Sequence, residues 1–180
     1  MLIRASIVFC ASLTILGCSS DGPSPSTEGQ RVDSASAASS TLAGFRDDSR
    51  ASKFFGTAYG YAVFPKVTKG AAGIGVASGR GEVYQGNALV GYAKLTSVTI
   101  GPQLGGQTFS QIIFFQNEFA FNKFTNDQFT GQASAGAVAG QSGGLNLADY
   151  NEGVAIFTIN NSGLIAAADI GGQKFEYEAK

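Results

Sequence analysis

Histidine and tryptophan are both absent from the 180 residues, methionine occurs once and cysteine only twice. Without histidine, serine–histidine, cysteine–histidine and histidine–metal chemistry has no members to draw on. Charge is scarce as well. Only 14% of the residues are Asp, Glu, Lys or Arg, and 12 basic residues against 13 acidic leave a formal charge of −1. That balance offers no basic face for a nucleic acid. The acids Glu82, Glu118, Asp149, Glu152, Asp169 and Glu176 show no paired spacing. Acid–base pairs and carboxylate cages therefore have no sequence signature, and no EF-hand pattern occurs. The expectation is a protein that is not an enzyme, with no cofactor and no metal.

What is abundant is glycine, 25 residues, with 14 Phe and 6 Tyr. Glycine stands at about twice its usual share of roughly 7%. It weakens helix interiors and suits turns, bulges and closely packed strands. The aromatics favour strands. At 44% hydrophobic the chain is able to bury a sizeable core in one domain.

Residues 1–18 read MLIRASIVFCASLTILGC. A positive start at Arg4 precedes an apolar or small run from Ala5 to Leu16, the architecture of a signal peptide. The run is too short for a transmembrane helix, which needs about 20 residues. Ile15-Leu16-Gly17-Cys18 resembles the bacterial lipobox. That resemblance implies cleavage before Cys18, acylation of Cys18, and a place in the cell envelope. Ser19, a residue other than Asp, resembles the pattern for sorting to the outer membrane, facing the periplasm. Cys10 lies in the removed segment, so the mature chain would hold no disulfide. Residues 19–40 are rich in Ser, Pro, Gly and Ala, with Val32 the only larger aliphatic residue. This predicts a flexible tether reaching on the order of 25 Å. The organisation expected is a signal peptide at 1–17, the lipidated cysteine and linker at 18–40, and a folded domain at 41–180.

Within that domain Asp47 or Asp48 is placed to cap a short helix through about Phe55. Leu42 and Phe45 fall on the other side of its wheel, which argues against one continuous helix. Strand signals follow at 59–64, ending at Pro65, then at 72–78 and 81–85 around Gly79-Arg80, and at 88–100 and 103–115 around Gly101-Pro102. Asn117 is placed to cap a second short helix, 118–125. Residues 129–140 read as a strand with a small-residue face, 141–144 as a flexible break, and 153–159 and 163–178 as closing strands, with Asn160 to Gly163 a hairpin turn. The fold class expected is mainly β: a curved antiparallel sheet, partly closed as a barrel or sandwich-like, with two short helices. Phe114, Phe115, Phe119, Phe121 and Phe124 are assigned to the core.

The segments AYGYAVFPKVTKG (58–70), GIGVASGRGEVY (73–84), LTSVTIGPQLGGQTFSQIIFF (95–115) and GGQKFEY (171–177) resemble, in this order, the SYLF domain family. The combination of FPxxxKG, a Gly-rich strand and the long IGPQLGGQ strand is specific as an ensemble. The family occurs in bacterial lipoproteins and in eukaryotic lipid- and actin-associated proteins. The resemblance implies binding of acidic lipids, here an anionic phospholipid head group.

Lys66, Lys69, Arg80 and Lys94 are the cations proposed to hold phosphate oxygens, Arg by bidentate bonds and Lys as a point charge. The plain alternative is that they are solvated surface charges. Gly73-Ile74-Gly75 is not a nucleotide loop, because Ser78 stands where the third glycine belongs. Three roles compete: a tethered module binding membrane phospholipid; an interaction lipoprotein that binds an envelope protein through exposed strand edges; and an integral β-barrel, against which the separate lipid anchor argues.

Overall fold

The computed structural model describes residues 22–25, 27–131, 150, 152–160, 163–166 and 172–180, with the backbone alone described at 71–74, 99–105, 130–131 and 163–166. Cys18, the small-residue strand expected after Gly131 and the break expected at 141–144 lie outside these residues.

The described residues form three helices and six strands. The helices are α1 (Glu28–Asp47), α2 (Ser49–Phe55) and α3 (Glu118–Thr125). The strands are β1 (Gly60–Gln85), β2 (Ala88–Phe115), β3 (Thr130–Gly131), β4 (Val154–Asn160), β5 (Gly163–Ala166) and β6 (Gln173–Ala179). Every pairing is antiparallel. The mainly-β expectation holds, but with three helices rather than two, and one of them is 20 residues long.

That helix corrects the tether reading, because 28–40 are its first turns rather than coil. The Thr27 hydroxyl caps it by accepting from the Gln30 amide at 3.3 Å, and Glu28 sits in the first turn, where the helix dipole favours an acid. Its buried side needs only Ala38, Leu42 and Phe45, at helical spacing. A helix with so narrow an apolar stripe is stabilised by what it lies on, which composition does not reveal. Asp48 then leaves helical geometry (φ −83°, ψ 122°) and caps α2 through the Arg50 amide at 2.8 Å. The chain thereby turns a new face inward, and Ala51 and Phe54 become buried. Helix α3 has the expected bounds, with the Asn117 side chain accepting from the Ala120 amide at 3.0 Å.

Of the expected breaks within the strands, those at Pro65 and Gly101-Pro102 are bulges, whereas Gly79-Arg80, expected as a turn or bulge, is neither. β1 and β2 form a single long hairpin from Gly60↔Phe115 to Gln85↔Ala88, turning at Gly86, whose φ of +57° suits a tight hairpin. Pro65 lies in the first register shift, between Phe64 and Val67, and its carbonyl accepts from Ser110 Oγ at 2.6 Å. Gly101-Pro102 falls in the second, opposite the step from Ala72 to Ile74. Proline has no N–H for the ladder, and a bulge is where a strand does without one. Gly79 and Arg80 pair regularly with Leu95 and Lys94.

β2 is the central strand. β1 occupies one edge, while β6 (at 91–97) and β4 (at 110–115) share the other. β3 extends the sheet beyond β6, and β5 beyond β4, where Asn160 pairs with Gly163 as the hairpin reading expects.

The hairpin bends back on itself. The Gly86 amide donates to the Tyr59 carbonyl at 3.1 Å, Gln85 Nε2 donates to the Tyr59 hydroxyl at 2.7 Å, and the Tyr61 and Tyr84 rings stack at 5.0 Å. A Cβ at Gly60 would stand 2.6 Å from the Tyr84 carbonyl, at Gly81 2.4 Å from that of Val63, and at Gly79 2.9 Å from that of Lys66. The two ends of β1 thus lie antiparallel against each other, at a separation only glycine permits.

Each face of the bent sheet carries a core. The inner one gathers Phe64, Val67, Val83, Leu95, Ile113, Phe115 and Phe175 under α3, which adds Phe121 and Phe124. Phe124 stands between Phe115 (4.9 Å) and Phe175 (5.3 Å). The outer core sets Leu42, Phe45 and Phe54 of α1 and α2 on Val63, Ile112, Phe114 and Phe157. Ile112-Ile113-Phe114-Phe115, apolar at every position, feeds both cores alternately. Phe119 departs from the core assignment: it is 69% exposed, with Lys123 Nζ 4.5 Å from its ring centroid. One buried polar contact spans the bend. The side-chain amides of Gln111, in the β4 half of β2, and Gln173, beside the β6 half, bond reciprocally at 3.1 and 3.3 Å.

Gly81→Ala should destabilise the protein by about 2 kcal/mol or more, since the methyl meets rigid backbone. Gly70→Ala, with nothing within 4 Å of the added carbon, should leave the thermal midpoint nearly unchanged. Gln111→Leu should cost about 1–3 kcal/mol in urea unfolding by orphaning Gln173, and the double variant Gln111→Leu/Gln173→Leu should recover most of the loss.

Candidate functional site

Alternation along β1 and β2 sends Ala77, Gly79, Gly81, Ala93 and Leu95 inward, all of them buried. Arg80 and Lys94 therefore belong to the outer face, the side of α1. They are direct cross-strand partners, and Lys94 faces Glu176 on its other side. Lys174 makes an exposed ion pair with Glu176 at 3.2 Å.

The other two cations stand apart. Lys66 lies exposed in the first bulge, its carbonyl against Gly79, so the fold-back brings it within a residue of Arg80 along the chain. Lys69 pairs with Gln107 and is half-buried, in step with the inward-facing Val67 rather than with Arg80. The four cations thus divide into a facing pair, a bulge neighbour and one residue of opposite alternation.

The outer face also holds a group that the sequence does not single out. Glu82 is only 2% exposed. Its carboxylate accepts from the Tyr84 hydroxyl at 2.5 Å and from Ser34 Oγ of α1 at 3.4 Å. Nothing in the spacing of Ser34 and Glu82, 48 positions apart, announces this contact. Burial first, and then the hydrogen bond to Glu82, hold the Tyr84 phenol well above the ordinary tyrosine range. Burial raises Tyr61 and Tyr177 as well.

Next to this cluster the N-terminal segment touches the sheet. Arg80 Nε donates to the Gly22 carbonyl at 3.0 Å, and a Cβ on Gly22 would stand 3.6 Å from Glu178 Oε2. Farther along the same face Val76 and Val98, direct partners in the ladder, are 49% and 54% exposed. Among the described residues no three carboxylates or cysteines gather as a metal site, and no helix is long and apolar enough to cross a membrane. The face thus carries cations, the carboxylates of Glu176 and Glu178 and, four residues along each strand, exposed aliphatics.

No protein-family model matches the chain. It is similar to the protein named Beta cell expansion factor A of Aeromonas veronii, 30% identical over 138 residues, a match covering 73% of this chain and 50% of that protein. The chain thus spans about half the length of the relative.

A phenol whose pKa is raised by folding contributes stability below its unfolded value near 10, and loses it as pH climbs through the higher folded value. The free energy of unfolding should therefore fall above about pH 10, and Tyr84→Phe should flatten that fall. Denaturant curves between neutral pH and pH 12 read both.

Proposed function

We propose that this protein is an acylated envelope lipoprotein whose SYLF-like body, a curved and partly closed sheet, binds anionic phospholipid. The single observation carrying the reading is the outer-face pairing of Arg80 with Lys94, four residues along each strand from the exposed pair Val76 and Val98. Cations suited to phosphate and aliphatics suited to the acyl boundary thereby share one surface. The lipobox-like Ile15-Leu16-Gly17-Cys18 and the order of the SYLF-like segments support it from the sequence. Localisation in the outer membrane, facing the periplasm, goes with this reading.

Cosedimentation of the chain from Ser19 onward with liposomes is the test. Binding to phosphatidylglycerol vesicles should exceed binding to phosphatidylcholine vesicles and weaken with salt. Each cation near an anionic surface contributes about 1 kcal/mol, so Arg80→Glu with Lys94→Glu should lower the affinity at least roughly tenfold. Equal indifference to both vesicle types would remove the lipid reading and leave that of a lipoprotein recognising an envelope protein, for which the exposed Phe119 on α3 is the natural anchor.

A further inference from the structure

We infer that the outer face around Arg80 and Lys94, with the Val76–Val98 pair beside it, is the surface this protein turns to the bilayer. The inference rests on the reading of Cys18 as the acylated residue and adds to it an orientation.

Chain length limits how far the body can stand from its anchor. The composition of residues 19–40 suggests a tether that leaves the body free to tumble. The structure shortens it. Gly22 is fixed to the sheet through Arg80 Nε and lies beside Glu178. Arg80 pairs with Lys94, and Tyr92 with Glu178, so Gly22 sits over the central strand between β1 and β6. Cys18 precedes Gly22 by four positions (22 − 18 = 4). Four fully extended residues span at most ~14 Å. The acyl chains enter the membrane at Cys18, so the head-group plane passes within that distance of Gly22.

Of the surfaces near Gly22, one is suited to that plane. From Glu82 back to Tyr61 and Ile112 the outer face is covered by α1 and α2. In the other direction, among the described side chains, Val76 and Val98 are exposed on it. Each valine lies four residues from its cation (80 − 76 and 98 − 94), or ~13 Å along a strand. Fully extended, the tether just reaches the valine end of the face. Branched aliphatics at a head-group boundary leave water, while Arg80 and Lys94 stay at phosphate level. Exposed Glu176 and Glu178 on β6 share this face, and Lys174 neutralises the first. Net charge on the face is thus small, and the short connection sets the orientation. Helix α3 packs on the inner core and faces away.

The acylated protein, purified from membranes and reconstituted in phosphatidylethanolamine–phosphatidylglycerol vesicles, decides the matter. Cys10 lies in the signal segment and Cys18 carries lipid, so a cysteine placed by Val76→Cys, Val98→Cys or Asn122→Cys is the one free thiol. All three positions are exposed, so each accepts a fluorophore without disturbing a core. Spin-labelled lipids should quench the probe at 76 and 98 about threefold or more over that at 122, as for a face within 5–10 Å of the acyl boundary. Equal quenching at all three positions, or the strongest at 122, overturns the orientation. Intact mass of the same preparation separates the two levels. Protein lacking acyl chains removes the anchored reading and this inference with it. Acylated protein quenched at 122 overturns the inference alone.

Discussion

The structure depends on a contact between two pieces of the same strand. Residues 60–67 and 79–85 of β1 lie antiparallel against one another, and Gly60, Gly79 and Gly81 let main chain meet main chain where any side chain would intervene. That approach makes a flat hairpin into a body with an inside and an outside. The inside fills with Phe64, Leu95, Phe115 and Phe175 beneath α3. Twist alone does not bend a sheet this sharply. Bulges at Pro65 and opposite Gly101-Pro102 supply the local change of direction, and the glycines accept the result. The Gln111–Gln173 pair fixes the curvature from within, because two buried amides are satisfied only when the halves of β2 meet at the right separation.

Bending also decides what the outer face is for. Its middle is taken by α1 and α2, which seal Val63, Ile112, Phe114 and Phe157 from water. Farther along, among the described residues, it carries Arg80, Lys94 and the exposed Val76 and Val98. Between the two regions sits the buried Glu82 carboxylate, held by hydroxyls from Tyr84 and Ser34. A carboxylate withdrawn from water requires donors. Ser34 of α1 supplies one, so this helix meets the sheet at Glu82.

Local chemistry in the sequence is legible wherever a few adjacent residues decide the outcome. Asn117 and Asp48 cap their helices, the Leu42/Phe45 and Ala51/Phe54 faces part at Asp48, and Ile112 to Phe115 enter both cores. Residues 28–40 are not legible in this way, because Ser- and Ala-rich chain reads as coil unless the surface it lies on is known. Phe119 misleads for the converse reason: it sits beside true core positions on an amphipathic helix but one step around the wheel, over solvent and Lys123. Among the cations, odd and even positions already separate Lys69 from Arg80, but that the register shift between Ala72 and Ile74 leaves this alternation intact is visible only in the ladder.

The amino-acid sequence by itself determined the β-rich class, the absence of histidine chemistry and the caps at Asp48 and Asn117, since these follow from side-chain types within a few residues. Tertiary structure alone decided that the deformed strands stay continuous, that Glu82 is buried, and that Gly22 rests on Arg80, 58 positions away. Such contacts join groups distant in the chain. Their free energy depends on separations that no local pattern encodes, and they come with the fold-back of β1 on itself.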